Sequence, residues 1–79
     1  MHKALDTFLK DLYSEKNKGK QIYVEVLVQS NIISGKLVDI SNDFETITLS
    51  DIHRNDKYLN TAITILSANI LGWNAKIND

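Results

Sequence analysis

The chain has 79 residues, of which 24% are charged, with nine Lys and Arg against ten Asp and Glu and a formal net charge of −1. That length suffices for one domain and not for two. The absence of cysteine excludes disulfides and thiolate metal sites. The slightly acidic balance excludes nucleic-acid binding driven by overall charge, because such affinity comes largely from neutralising phosphates. Binding of that kind has to come from a local patch, or from one patch repeated around an assembly. No basic start leads into an apolar stretch, so no signal peptide is read. No run approaches the ~18 apolar residues of a membrane span. The expectation is a cytoplasmic protein without membrane contact. Domains this small often need a staple. With no cysteine and only His2 and His53 as histidines, self-association is the staple expected.

From Lys3 to about Lys16, Leu5, Phe8, Leu9 and Leu12 recur at helical spacing, with Ala4 and Tyr13 at the margins. Asp6 near the start and Lys16 and Lys18 near the end suit the helix dipole, and Gly19 is a stop signal. The period then becomes two. Ile22, Val24, Val26 and Val28 alternate with Tyr23, Glu25, Leu27 and Gln29, a first strand rich in β-branched residues. Ser30-Asn31 reads as a turn. A second strand, about residues 32–40, contains Gly35, which inside a strand marks a sharp bend or a close backbone approach. Ser41-Asn42-Asp43 is the next turn, and residues 44–50 form a third strand opened by Phe44.

Residues 53–57 read as a polar loop. Residues 58–66 have strand composition, Ser67-Ala68-Asn69 interrupts, and Ile70, Leu71 and Trp73 form a last short strand. The tail from Asn74 is polar and expected to fray, with Ile77 able to pair. The reading is mainly β: one domain over residues 1–79, with a helix at about 3–16, strands within about 20–73 and a polar tail at 74–79. It combines an N-terminal helix with a five-stranded, strongly bent antiparallel sheet, a small barrel of SH3-like or OB-like kind.

The order and spacing of three segments resemble the Sm-like proteins, and among them the bacterial Hfq type, over roughly residues 4–73. The segment LDTFLKDL carries Asp6, Phe8, Leu9 and Leu12, which match the acid, the Phe-Leu pair and the later Leu of the Hfq helix. In YVEVLVQSNIISGKLVDI, the three valines, the turn, Gly35 and Leu37 follow the first Sm motif. ITILSANILGW stands in the place of the second. The resemblance implies a homo-oligomeric ring of about five to eight copies, closed by pairing the fourth strand of one copy with the fifth of the next. The residues so placed here are Tyr58, Ile63, Ile65, Ile70 and Trp73. It also implies single-stranded RNA binding of an RNA-chaperone-like kind. Where the Hfq type carries Lys-His in the turn between those strands and other Sm proteins carry Arg-Gly, this chain has Ser67-Ala68.

Phe44 stands where the resemblance places an aromatic that stacks on a base, and stacking is worth about 1–3 kcal/mol per base. An aromatic opening a strand is also a common core residue. Asn69 is placed to bond a base edge or to serve the turn through its backbone. Lys16, Lys18 and Lys20 form the basic concentration that a ring would repeat as a phosphate-holding band, or they are solvated lysines complementing a helix end. Asp51, His53 and Asp56 are too ordinary a loop set to read as a metal site. No nucleophile–base pair or phosphate loop is legible. Neither enzymatic activity nor a cofactor or metal is expected. The leading reading is an RNA-binding ring. Its rival is a homo-oligomeric protein-interaction module on the same scaffold.

Overall fold

A computed structural model describes residues 3–78. The order is α1 (Lys3–Asn17), β1 (Gln21–Val28), β2 (Asn31–Ile40), β3 (Thr46–Arg54), β4 (Lys57–Leu66), a single 3-10 turn (Ser67–Asn69) and β5 (Ile70–Asn78). The strands form one antiparallel sheet in the order β4-β3-β2-β1-β5. The expected helix and five-stranded sheet are present.

The α1 stripe of Leu5, Leu9 and Leu12 is buried against Ile22, Val24 and Val26 of β1 and Leu37, Ile40, Ile47, Leu49, Ile52, Ile65 and Ile70 of the other strands, in one cluster. Phe8 extends it onto Trp73, with ring centroids 5.8 Å apart. Gly19, at φ 82°, ends the helix in the left-handed conformation that glycine adopts without a Cβ penalty.

The bend of the sheet sits where Gly35 faces β3. A Cβ on Gly35 would lie 2.7 Å from the Ser50 carbonyl oxygen. The β2–β3 register shifts between Ser34 and Lys36, the β3–β4 register shifts between Ser50 and Ile52, and the intervening Asp51 takes φ 50°. Bulges of this kind bend a strand and increase its twist. Among the described residues β4 and β5 each have one strand neighbour, so the barrel is open along those two edges.

Four local expectations are corrected. The first hairpin turns at Gln29-Ser30, with Gln29 at φ 58°. Asn31 is already in β2 and uses its side chain instead, accepting from Asn55 Nδ2 at 3.1 Å and Arg54 Nη2 at 3.5 Å. Phe44 precedes β3 rather than opening it. His53 and Arg54 belong to β3 and Lys57 to β4, leaving Asn55-Asp56 as a tight turn with both residues at positive φ. The tail does not fray through residue 78: Asn74, Lys76 and Asn78 pair with Glu25, Tyr23 and Gln21 of β1. Asp79 lies outside the described residues.

Candidate nucleic-acid interface

Two turns meet beside the open edges. The first, residues 41–45, is organised by Ser41, whose Oγ receives the Glu45 and Thr46 N–H groups at 3.1 and 3.0 Å. The same hydroxyl donates to Asp43 Oδ1 at 2.7 Å, and that oxygen also takes the Glu45 N–H at 3.0 Å. The hydroxyl first and the amide second favour the ionised Asp43, holding its pKa below the ordinary 3.8. This network fixes Phe44 at φ 60°, a left-handed backbone that aromatic residues take only under constraint. The Phe44 ring is half-buried and meets Tyr13 of α1 edge-on, 5.6 Å between centroids at 83°. The Tyr13 hydroxyl donates to Asn42 Oδ1 at 3.3 Å, pinning turn to helix.

The second turn, Ser67–Asn69, is joined to the first by the Ser67 N–H, which donates to the Glu45 carbonyl at 2.8 Å. Ser67 is only 1% exposed, whereas Ala68 and Asn69 face outward. A hollow of about 340 Å³ lies between the turns, lined by Glu45, Leu66, Ser67 and Ala68. Its walls carry no cation. The fold thus brings the turn bearing Phe44 and the turn bearing Asn69 together.

The three lysines are placed differently from one another. Lys16 follows Tyr13 by one helical turn and forms no ion pair with a described residue. Lys20 and Lys18 converge on Glu15, at 2.9 and 3.5 Å. The Lys20 ammonium, with Lys18 behind it, holds the Glu15 carboxyl below its ordinary 4.5. Two of the three cations are therefore already engaged.

The residues expected at an interface between copies also divide. Ile65 and Ile70 are buried in the chain's own core, and Ile63 and Trp73 pack partly against it. What these residues offer a neighbour is the free backbone edge of β4 and β5. Tyr58 is exposed, stacks at a tilt on His53 across the hairpin at 5.1 Å, and donates its hydroxyl to Asp51 at 3.2 Å or Asn60 at 3.4 Å. Partial desolvation, then the Asp51 charge, raises the Tyr58 pKa above 10.0. The two edges meet the second turn at Leu66 and Leu71, which are 54% and 67% exposed. Among the described residues no group of three or more His, Asp or Glu is placed to hold a metal ion, and no helix is long and apolar enough to cross a membrane.

No family model and no curated protein matches the chain. Among solved structures, the Pyrococcus abyssii Sm protein in complex with a uridine heptamer superposes with a TM-score of 0.57 at 18% identity, over 82% of this chain and 96% of that one. The fold is the Sm fold. In it, the helix, the Gly35 bend and the paired turns all fall within one arrangement that sequence similarity at this level would leave obscure.

Two supports of the site had escaped the sequence reading. Tyr13 was taken as a marginal helix position, yet it anchors Phe44. Ser41 and Asp43 were taken only as turn formers, yet their side chains build the turn. The Ser-Asn-Asp run was the available signal, since such residues bond the backbone two to four positions on.

Proposed function

We propose that the chain assembles with copies of itself into a closed ring and binds single-stranded RNA at the adjoining turns, as an RNA-chaperone-like protein and not an enzyme. On this reading residues 1–79 are one Sm-like domain, nearest the Hfq type by its helix motif, acting in the cytoplasm without a cofactor. The observation that carries it is the Ser67–Glu45 bond, which sets the Phe44 and Asn69 turns side by side in a fold shared with a protein solved with a uridine heptamer. The exposed part of Phe44 would stack on a base and Asn69 would bond a base edge, while Lys16, and Lys18 and Lys20 once released, would meet phosphates. Ring closure would pair β4 of one copy with β5 of the next, along the strands that carry Tyr58, Ile63, Ile65, Ile70 and Trp73, and would cover Leu66 and Leu71.

Titration of a labelled uridine heptamer, followed by fluorescence anisotropy at about 50 mM salt, where phosphate contacts are strongest, tests the reading. Saturable binding weakened at least about fivefold by Phe44→Leu or Asn69→Ala, the lower end of a lost stack or bond, is expected. Absence of saturable binding overturns it. A second reading, an oligomeric protein-interaction module without RNA affinity, is favoured by the Glu15 engagement of Lys18 and Lys20 and the uncharged Ser67-Ala68 turn. It requires the oligomer to persist while the heptamer fails to bind.

A further inference from the structure

The outward face of the sheet over β1 carries an ordered set of side chains. The paired registers place Tyr23 between Lys36 and Lys76, Glu25 between Ser34 and Asn74, and Leu27 between Ile32 and Gly72. Tyr23 is 44% exposed, and Glu25, Asn74 and Lys76 face solvent with it. Two hollows of about 220 and 210 Å³ run along β1 and share Glu25 and Asn74, the first reaching Tyr23 and Lys76 and the second reaching Leu27, Ile32 and Gly72. Together they make one continuous groove.

The charges on this face suit an anionic chain. Neither Lys36 nor Lys76 forms an ion pair with a described residue, unlike Lys10, Lys18 and Lys20. They stand two strand spacings apart, about 10 Å, with the tyrosine ring between them. An exposed aromatic flanked by free cations is the arrangement by which single strands are held without sequence readout, bases stacking and phosphates reaching the cations. The next row adds polar groups. The Asn74 Oδ1 is taken by the Ala75 N–H at 2.9 Å, leaving its amide NH2 to donate outward. Glu25 offers an acceptor directly beside it. An acceptor and a donor at cross-strand distance can meet a base edge.

We propose that this face is a second single-stranded nucleic-acid surface, separate from the paired turns, with Tyr23 as the stacking platform, Lys36 and Lys76 on phosphates, and Glu25 and Asn74 on the base edge.

The test maps amide shifts of the full-length protein with the uridine heptamer at low salt, alongside affinities of two variants. Tyr23→Thr keeps a strand-favouring residue, and Lys36→Gln with Lys76→Gln leaves the ring and the tyrosine in place. Shifts at Tyr23, Glu25, Asn74 and Lys76 are expected, with a roughly 5- to 150-fold loss of affinity in Tyr23→Thr. The double lysine variant should lower the salt slope by about 1.4, from two phosphates at about 0.7 each. Shifts confined to residues 41–45 and 67–69 overturn this second surface and leave the proposed function standing. Shifts confined to the β1 face support the surface and overturn the turn site. No shifts at all overturn both. Loss of self-association in Tyr23→Thr with unchanged heptamer binding marks the face as a contact between copies and also overturns the proposal.

Discussion

Replacing each glycine by alanine separates three physical roles that glycine plays in this chain. At Gly35 the new Cβ would stand 2.7 Å from the Ser50 carbonyl oxygen, 3.0 Å from Ile52 Cγ2 and 3.3 Å from Leu49 Cβ. The first neighbour is backbone at the bulge that bends the sheet, and the other two are buried core. No flexible side-chain end can yield, so β2 and β3 have to separate where the sheet is most curved. Overpacking of a well-filled site costs about 1–3 kcal/mol, and the upper half of that range applies here. For a domain of this size each kcal/mol moves the melting midpoint by about 4–8 °C. Gly35→Ala should therefore lower it by at least about 8 °C. Gly19→Ala meets nothing within 4 Å but forces alanine to φ 82°, a backbone penalty of about 1 kcal/mol. Gly72→Ala meets only Leu27, at 3.6 and 3.9 Å, in ordinary contact, and should be neutral to slightly stabilising. Thermal melts by circular dichroism at one matched protein concentration give the order, since assembly makes midpoints concentration-dependent. A Gly35→Ala midpoint no lower than that of Gly72→Ala would refute the close-approach explanation of the bend.

Asp43 and Glu15 both have folded pKa values below their ordinary 3.8 and 4.5. Their stabilising contribution is thus present above those values and is lost as pH falls through the lower folded ones. Urea midpoints should be level above about pH 5, should fall below about pH 4, and should fall less in Asp43→Asn. Glu15→Gln frees Lys18 and Lys20, so the salt dependence of heptamer binding should steepen by up to about 1.4 with little change in urea midpoint; an unchanged slope would show that neither lysine reaches a phosphate. Leu71→Lys puts a charge on the open β5 edge, where strand addition is most easily blocked. It should yield a monomer with a native-like far-ultraviolet spectrum, and an intact oligomer would show that β5 is not the joining edge.

Periodicity made the helix and the strands legible, because Leu5, Leu9 and Leu12 and the alternating Ile22, Val24 and Val26 are the residues the core in fact buries. Gly35 was legible as a bend, though not what it approaches, since the Ser50 carbonyl is 15 positions away and belongs to another strand. Polar composition misled at both ends of the long hairpin. His53 and Arg54 look like loop residues, yet they stand in β3 because its outer face is solvated. Asn74 and Lys76 look like a fraying tail, yet they pair with β1 while their side chains point to water. Phe44 was legible as a candidate but not its φ of 60°, which follows from hydrogen bonds that only the folded turn assembles. Lys18 and Lys20 looked like one cationic group with Lys16, because their convergence on Glu15 depends on the chain reversal at Gly19. Tyr23 between two lysines could not be seen at all without the register.

The most direct measurement is the native mass of the purified protein at low micromolar concentration. The ring reading predicts one discrete species at about five to eight times the 9.0 kDa chain mass. A clean monomer would contradict it, leaving the Leu66 and Leu71 edges open and removing the composite pore on which RNA binding at the paired turns depends.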